Sequence, residues 1–181
     1  DKVLAPLGEL PVLVHTLYAF QDCPAIHEII VVAREDLVVE VGRLCREFNL
    51  DKVRKVIVGG QERVHSVQAG LGEVDPEAEL IAIHDGARPL VSQEIIRDTV
   101  ARAALTGAAA PAVPLVDTIK RGEEGQTVET VDRSQLWAVQ TPQVFEAGLI
   151  KAATKKALED GELLTDDCGA VERLGMRVTL T

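Results

Sequence analysis

Apolar residues recur along the chain in short runs that alternate with longer segments of helical spacing. The run "IHEIIVVA" (26–33) is rich in β-branched residues and predicts a strand. The next segment, "REDLVVEVGRLCREFN" (34–49), repeats its apolar residues at helical intervals. The same order returns with a strand predicted at "VRKVIVGG" (53–60) and a helix at "ERVHSVQAGLGEV" (62–74). The pattern therefore predicts strand–helix units in series.

A third strand–helix unit follows, and the residues between its strand and its helix are chemically unusual. The strand predicted at "AELIAIHDG" (78–86) ends in an acid, a glycine and an arginine within four residues, Asp85 to Arg88. Ser92 is predicted to cap the helix "QEIIRDTVARAALTG" (93–107). A solubilising turn needs none of this charge, so Asp85 and Arg88 are candidates for binding a ligand.

Strands that alternate with helices predict an α/β fold. Right-handed crossovers would give a mostly parallel sheet with helices on both faces. The fourth extended run, "AAAPAVPLV" (108–116), contains prolines that argue against a fully paired centre. Residues 117–137 break the alternation, because two polar stretches flank "GEEG", and they predict a protruding β-hairpin arm. An isolated hairpin is marginal in water, so this arm predicts a partner chain.

Charge and composition narrow the class of protein. The 181 residues are expected to form one domain. The net charge of −10 argues against a nucleic-acid partner, and three Phe, one Tyr and one Trp are too few for base-stacking platforms. The three cysteines, Cys23, Cys45 and Cys168, form neither a disulfide framework nor a zinc motif. Without a membrane-spanning run or a signal peptide, we expect a soluble cytoplasmic protein with no membrane partner.

The ends of the predicted strands carry the candidate chemistry. Ligands of open α/β sheets bind beyond the carboxyl ends of the strands, where "GGQER" (59–63), "HDGARP" (84–89) and "VDT" (116–118) lie. Asp85 could hold a divalent cation of the magnesium type, which takes one or two carboxylates plus phosphate oxygens. Arg88 could grip a phosphate in bidentate fashion. The alternatives are a turn residue or helix cap at Asp85, or a weak local salt bridge between the two.

Other polar residues are candidates with equally ordinary explanations. Gly59 and Gly60 would let the backbone approach a flat ligand and Ser66 would add a hydroxyl, or they form a plain strand-to-helix turn. Lys2 could be any surface lysine, and His84 is expected to be a hydrogen-bonded imidazole at the strand end. No Ser-His-Asp, HExxH or CxxC pattern is present, so covalent catalysis has no candidate. Nucleotidyl transfer needs none, because it depends on positioning and charge neutralisation.

Six ordered blocks carry a family resemblance. They are "DKVLAPLGELPVL", "GGQERVHSVQAGL", "HDGARP", "PLVDTIKR", "TVDRSQLWAVQTPQVF" and "TDDCGAVE". Over essentially its whole length the chain resembles the 2-C-methyl-D-erythritol 4-phosphate cytidylyltransferases, the CTP-using enzymes of the non-mevalonate isoprenoid pathway. The resemblance implies a Rossmann-like nucleotidyltransferase fold, a homodimer joined through the arm, Mg²⁺ as cofactor, and CTP and a sugar-alcohol phosphate as substrates.

The resemblance also implies roles for individual residues. Lys2 would neutralise triphosphate charge in the transition state, Asp85 would bind the metal, and Arg88 would lie near the sugar phosphate. The residues expected around the cytosine are Gly59, Gly60 and Ser66. The residues expected at the sugar-phosphate site are Thr118 and Arg133 of the arm, reaching across the dimer, together with Thr141 and Thr165.

The chain also departs from the family pattern. Position 61 is Gln where some relatives carry an acid. The family's opening strand and glycine-rich phosphate loop, and its late lysine, have no counterpart in residues 1–181, so we expect a single nucleotidyltransferase domain that lacks these segments. Two rival interpretations remain at this point. They are a ribitol 5-phosphate cytidylyltransferase and a nucleotide-binding domain without catalysis.

Overall fold

The computed structural model describes residues 1–161 and 164–181, and both parts contain regular structure. The helices are α1 (Val12–Gln21), α2 (Val38–Glu47), α3 (Arg63–Leu71), α4 (Gln93–Thr106), α5 (Ala147–Glu159) and α6 (Asp167–Arg173), with short 3-10 turns at Lys2–Leu4 and Glu35–Leu37. The strands are β1 (Pro6–Leu7), β2 (Leu10–Pro11), β3 (Ile29–Ala33), β4 (Val53–Val58), β5 (Leu80–Ile83), β6 (Ala108–Ala110), β7 (Ala112–Pro114), β8 (Ile119–Glu123), β9 (Gln126–Val131), β10 (Trp137–Val139), β11 (Gln143–Glu146) and β12 (Thr179–Leu180).

The largest sheet has four strands in the order β12–β6–β11–β5, and it is mixed. Strand β12 runs parallel to β6, whereas β11 runs antiparallel to both β5 and β6. The expectation of a mostly parallel sheet therefore does not describe this sheet. Two strands that are joined by a helical crossover run in the same direction. Strand β11 instead follows the extended segment β10, and it runs in the direction opposite to β5 and β6.

Helices cover both faces of this sheet, as predicted. Alternate residues of the strands face opposite sides. Ala109 and Val144 pack with Ala103 of α4 on one face. Ala108 and Phe145 pack on the other face, in the cluster that includes residues of α5 and α6. The strand pattern thus places the main core on both sides of one sheet.

Strands β3 and β4 form a separate parallel pair, joined by α2. Their core includes Leu13 and Leu17 of α1, Val31 of β3 and Val41 of α2. The helix α1 therefore packs against this pair, and the 3-10 turn that carries Lys2 contacts α1. None of the helices in the described part of the chain is both long and apolar enough to cross a membrane.

Two local predictions can be compared directly with these elements. The Ser92 hydroxyl accepts a hydrogen bond from the Ile95 N–H at 3.2 Å, which confirms the predicted N-cap of α4. The prolines of the 108–116 run are expected to prevent a fully paired centre, and the run is indeed divided at Pro111. The three alanines before it form β6 and are fully buried between β11 and β12. Pro111 ends β6, and the chain then leaves this sheet to pair as β7 with β10.

The predicted hairpin between 117 and 137 is present as β8 and β9, paired antiparallel. Its turn is made by Glu124 and Gly125, whose φ angles of 50° and 79° are both positive. Almost every side chain of the hairpin is exposed to solvent in the single chain. Gly125 suits this turn because a glycine adopts positive φ without steric cost.

Candidate active site

The loop that follows β5 forms one wall of an open cavity of about 610 Å³. Three of the residues singled out from the sequence line this cavity, namely Lys2, Asp85 and Arg88, together with Val3, Gly86 and Ala87. Strand β5 is held in place by β11, so its carboxyl end presents Asp85 at a defined position. The structure therefore brings the three predicted charged residues to one place from two distant parts of the chain.

Asp85 and Arg88 contact each other across the turn. The Arg88 Nε donates to Asp85 Oδ2 at 2.8 Å, and the Arg88 N–H donates to the Asp85 carbonyl at 3.0 Å. The two side chains are 41% and 47% exposed. An exposed pair of this kind contributes at most about 1 kcal/mol to stability. A ligand can therefore replace either partner at little cost.

The turn itself is fastened to α1. The Thr16 hydroxyl donates to the Gly86 carbonyl at 2.9 Å, and Thr16 is buried. A Cβ atom at Gly86 would lie 3.3 Å from a methyl group of Leu13, which is tighter than an ordinary contact. Glycine is favoured here because α1 approaches the loop closely.

Lys2 enters the cavity from the first 3-10 turn, which is capped by Asp1. The Asp1 carboxylate accepts from the Val3 N–H at 3.2 Å and pairs with Arg34 at 3.3 Å. Among the residues that the structure describes, Lys2 forms no salt bridge, and it is exposed. Its ammonium group is therefore available to an anionic ligand in the cavity.

His84 is the hydrogen-bonded imidazole at the strand end that the sequence predicted. Its Nδ1 lies 2.8 Å from the Thr141 Oγ1, and its Nε2 lies 3.2 Å from the Arg88 carbonyl oxygen. The ring also contacts Phe20, with 4.7 Å between the ring centroids. Burial lowers the pKa of the His84 imidazole from its ordinary value of 6.5, so the ring is neutral at physiological pH.

Thr141 lies beneath the same loop. It is buried, and its Oγ1 accepts from the Asp85 N–H at 3.3 Å while it also contacts His84. The resemblance places Thr141 at the sugar-phosphate site. The structure places it next to Asp85, with its hydroxyl already engaged in two hydrogen bonds inside the protein.

A second charged group was not anticipated from the sequence. Arg63 at the start of α3 donates two hydrogen bonds to Asp167, at 2.8 and 2.5 Å. The side chain of Asp167 is only 6% exposed, and Asp167 raises the pKa of the Arg63 guanidinium. The negative charge of Asp85 also acts on Arg63, so this arginine belongs to the same electrostatic environment as the cavity.

Gln143 connects this pair to the sheet. It is buried, and its Oε1 accepts from the backbone N–H groups of Asp167 and Cys168 at 3.0 and 3.1 Å. Its Nε2 donates to Asp166 Oδ2 at 2.9 Å. The blocks "GGQER" and "TDDCGAVE" contain the paired arginine and aspartate, but nothing in their local spacing indicates that they meet.

The glycines after β4 have a local structural reason. A Cβ atom at Gly59 would lie 2.6 Å from the Ser66 Oγ, and one at Gly60 would lie 2.2 Å from the His65 Cβ. The Gly60 N–H also donates to the Ser66 Oγ at 3.1 Å. Close packing of this turn on α3 therefore requires both glycines. These structural contacts do not test the prediction that the two glycines lie next to cytosine.

The remaining predicted residues lie away from the cavity lining. Thr118 and Arg133 are exposed at the base of the hairpin, where Arg133 donates a hydrogen bond to the Val116 carbonyl. Thr165 is exposed immediately before Asp166, the residue that caps α6. Neither arm residue lines the cavity described above, so the single chain does not unite them with Lys2, Asp85 and Arg88.

The charged groups suit a metal brought in by a ligand better than a metal held by the protein alone. Within residues 1–161 and 164–181, there is no group of three or more metal-ligating side chains. Asp85 offers one half-exposed carboxylate at the cavity. Mg²⁺ commonly binds with one or two carboxylates and completes its coordination with phosphate oxygens and water.

The molecule is an α/β protein with two cationic side chains and one carboxylate around a cavity at the end of a strand, an arrangement that suits a phosphorylated ligand. Comparison with known proteins then assigns the family. The profile of the 2-C-methyl-D-erythritol 4-phosphate cytidylyltransferase family matches residues 1–181. The chain belongs to this family.

Individual relatives agree with the family profile. The enzyme of that name from Caldanaerobacter subterraneus subsp. tengcongensis is 46% identical, over 99% of this chain and 80% of its own length. The one from Halalkalibacterium halodurans is 43% identical, over 99% of this chain and 78% of its own. The crystal structure of the Thermus thermophilus enzyme superposes with a TM-score of 0.86 at 30% identity, covering 99% of this chain and 82% of that one.

Proposed function

We infer that this protein is a cytidylyltransferase that transfers the cytidylyl group of CTP to 2-C-methyl-D-erythritol 4-phosphate and releases pyrophosphate. The reaction belongs to isoprenoid precursor synthesis, and we place it in the cytoplasm. The observation that carries this inference is the shared cavity of Lys2, Asp85 and Arg88, in a chain that belongs to the family of that name. Both substrates are phosphorylated, and the cavity concentrates cations in a protein of net charge −10.

The three charged residues have separable roles in this proposal. Lys2 neutralises charge on the triphosphate, and Arg88 holds the phosphate of the sugar alcohol as a planar donor. Asp85 would hold Mg²⁺, which would neutralise phosphate charge and help to orient the triphosphate. The single half-exposed carboxylate fits this role because the triphosphate itself can provide further oxygen ligands.

The chemistry requires no general base from the protein. An oxygen of the sugar-alcohol phosphate, already anionic at neutral pH, donates an electron pair to the α-phosphorus of CTP. The bond from the α-phosphorus to the bridging oxygen breaks, and pyrophosphate leaves with that electron pair. Negative charge accumulates on the transferring group, so Lys2 and Arg88 stabilise the transition state more than the ground state.

We propose that Gly59, Gly60 and Ser66 surround the cytosine. The turn that they form lies after β4, at the carboxyl end of a parallel strand, where nucleotides bind in α/β proteins. Glycine at both positions lets the backbone of this turn pack closely on α3. Thr141 and Thr165 would complete the sugar-phosphate side, Thr141 by its position next to Asp85.

We also propose that two copies associate through the arm, so that Thr118 and Arg133 of one copy reach the cavity of the other. Apolar side chains are exposed on and around the hairpin, including Val116 at 76%, Val128 at 55% and Trp137 at 48%. Exposed apolar side chains on and beside a solvent-exposed hairpin are consistent with an interaction surface. A second copy would cover this surface.

The function is tested by supplying CTP and Mg²⁺ to the protein at its natural length, with either 2-C-methyl-D-erythritol 4-phosphate or ribitol 5-phosphate, and measuring pyrophosphate release. We expect faster turnover with the methylerythritol phosphate. Faster turnover of ribitol phosphate would overturn the substrate assignment. The Asp85→Ala variant should lose about 10²–10³-fold in kcat. If its pyrophosphate release is unchanged, Asp85 does not hold the metal.

The arm is tested by mixing an Arg133→Ala protein with a Lys2→Ala protein. Each mixed dimer would contain one site with both residues intact, so about a quarter of the wild-type activity should return. Gel filtration of the mixture confirms that dimers have formed. Absence of rescue in mixed dimers would place Arg133 in its own subunit's site or away from the reaction.

A further inference from the structure

His84 contacts both ends of the loop that carries Asp85 and Arg88. One ring nitrogen faces the Arg88 carbonyl at 3.2 Å, and the other faces the hydroxyl of Thr141 at 2.8 Å. That hydroxyl is in turn the acceptor for the Asp85 N–H at 3.3 Å. The imidazole thus connects the backbone of one charged residue to the backbone of the other.

The partners determine which nitrogen carries the proton. A carbonyl oxygen only accepts, so the His84 Nε2 must be the donor to Arg88. In a neutral ring the Nδ1 is then an acceptor, and the Thr141 hydroxyl must donate to it. The Thr141 oxygen keeps lone pairs to accept from the Asp85 N–H. The opposite tautomer would break the bond to Arg88, because a bare ring nitrogen and a carbonyl oxygen are both acceptors.

We propose that His84, through a protonated Nε2, is a positioning residue that sets the geometry of Asp85 through Thr141 and of Arg88 through its carbonyl. The catalytic roles of Asp85 and Arg88 belong to the proposed function, and the positioning role depends on them. The hydrogen-bond series itself follows from the structure alone.

The surroundings of the ring support this role. Phe20 packs against the imidazole ring. His84 directly follows Ile83, the last residue of β5, so the strand also fixes the backbone position of His84. The charges that act on the ring are those of Asp85 and Arg88, and they oppose each other.

The tautomer is tested directly by ¹⁵N NMR of the histidine ring nitrogens in the wild-type protein at pH 7.5. We expect one ring with a protonated Nε2, and its signals should disappear in His84→Gln. An unprotonated Nε2 at this position would overturn the proposal. This measurement needs no enzymatic activity, so it remains decisive even if the proposed function fails.

The positioning role is tested with two variants that each keep one half of the ring's function. In His84→Gln the amide nitrogen can reach the Nε2 position and donate to the Arg88 carbonyl, but the acceptor for Thr141 is lost. In His84→Asn the amide oxygen can occupy the Nδ1 position and accept from Thr141, but the donor to Arg88 is lost. Each variant therefore breaks one side of the loop.

The expected results separate the two substrates. His84→Gln should raise the KM for CTP and the Mg²⁺ requirement about three- to tenfold, because Asp85 is released. His84→Asn should instead raise the KM for the sugar-alcohol phosphate by a similar factor, because Arg88 is released. Equal changes in both KM values in both variants, or no change in either, would reduce His84 to a packing residue and overturn the proposal.

Two controls complete the experiment. The exposed His27, which lies outside the cavity lining, is changed to Asn and should leave both KM values unaltered. Thr141→Val removes the hydroxyl from the same series, so its effect on the KM for CTP should match that of His84→Gln, and the double variant should raise that KM no more than either single one. Only the KM for CTP is compared, because Thr141 also lies on the proposed sugar-phosphate side. Additive effects in the double variant would show that the two residues do not act in one series.

Discussion

Two aspartate–arginine pairs act in the same electrostatic environment, and they are built in opposite ways. Asp85 and Arg88 are three residues apart, share one side-chain hydrogen bond of 2.8 Å, and are nearly half exposed. Asp167 and Arg63 are 104 residues apart, share two hydrogen bonds, and Asp167 is only 6% exposed. The same two residue types therefore form one pair that is open to solvent and one pair whose carboxylate is almost fully buried.

The difference follows from solvation. Water solvates either member of an exposed ion pair when the contact between the two is broken. Such a pair can therefore exchange its mutual contact for a phosphate or a metal. Removing one partner of a buried pair leaves an uncompensated charge, which is strongly unfavourable. We infer that Asp85–Arg88 serves ligand binding and that Asp167–Arg63 holds α3 and α6 together beside the site.

Gln143 strengthens this distinction. It binds the backbone of Asp167 and Cys168 from β11, in the strand that also pairs with β5. The buried pair is thereby attached to the same sheet that positions the exposed pair. Rigid support next to an exchangeable ion pair is what a preorganised binding site requires.

The largest expected effect comes from opening the exposed pair permanently. Arg88→Ala should lower kcat/KM by about 10²-fold, because a phosphate loses its planar cationic donor. Its free energy of unfolding should change by less than about 0.5 kcal/mol, since an exposed pair contributes little. Steady-state kinetics and urea denaturation measure the two quantities. The exposed Arg102→Ala on α4 is the matched control, and a stability loss of several kcal/mol at Arg88 would contradict the comparison.

The buried pair is expected to give a smaller effect, and the affected quantity is the free energy of unfolding. Asp167→Ala should lower the free energy of unfolding by about 2–3 kcal/mol, because Arg63 loses both hydrogen bonds in a partly buried position. The double variant with Arg63→Ala should lose less than the sum of the two single effects. Urea denaturation measures both. The exposed Asp160→Ala, whose partner is Lys156, should change stability by less than about 0.5 kcal/mol.

The smallest expected effect is the pH dependence of the free energy of unfolding that His84 causes. Burial lowers the pKa of His84 below its unfolded value of about 6.5, so the unfolded chain takes up a proton first as the pH falls. The stability that the neutral ring contributes is complete above pH 6.5 and declines below it. The stability difference between wild type and His84→Gln should therefore shrink as pH decreases from 7.5 to 5.5, as urea denaturation at each pH would show. A difference that grows would mean that the ring is charged in the folded protein.

Local features of the chain predicted a large part of the molecule. The β-branched runs and helical spacings predicted β3, β4, β5, α2, α3 and α4 in order. Ser92 marked the start of α4, and "GEEG" marked the hairpin. The acid and arginine at the end of β5 indicated the cavity that Asp85 and Arg88 line. These predictions succeeded because backbone preference and side-chain periodicity act over a few neighbouring residues.

Long-range packing determines how distant segments of the chain meet. It placed β11 antiparallel between β5 and β6, joined Arg63 to Asp167, and assigned the proton of His84 to Nε2 through its two partners. No local pattern encodes these contacts, because each depends on where the chain returns after a long excursion. Local sequence patterns identified which residues could bind phosphate, because charge and spacing are local properties. The packing of the sheet decided which of these residues line the cavity and which lie beside it, since that depends on contacts between distant segments.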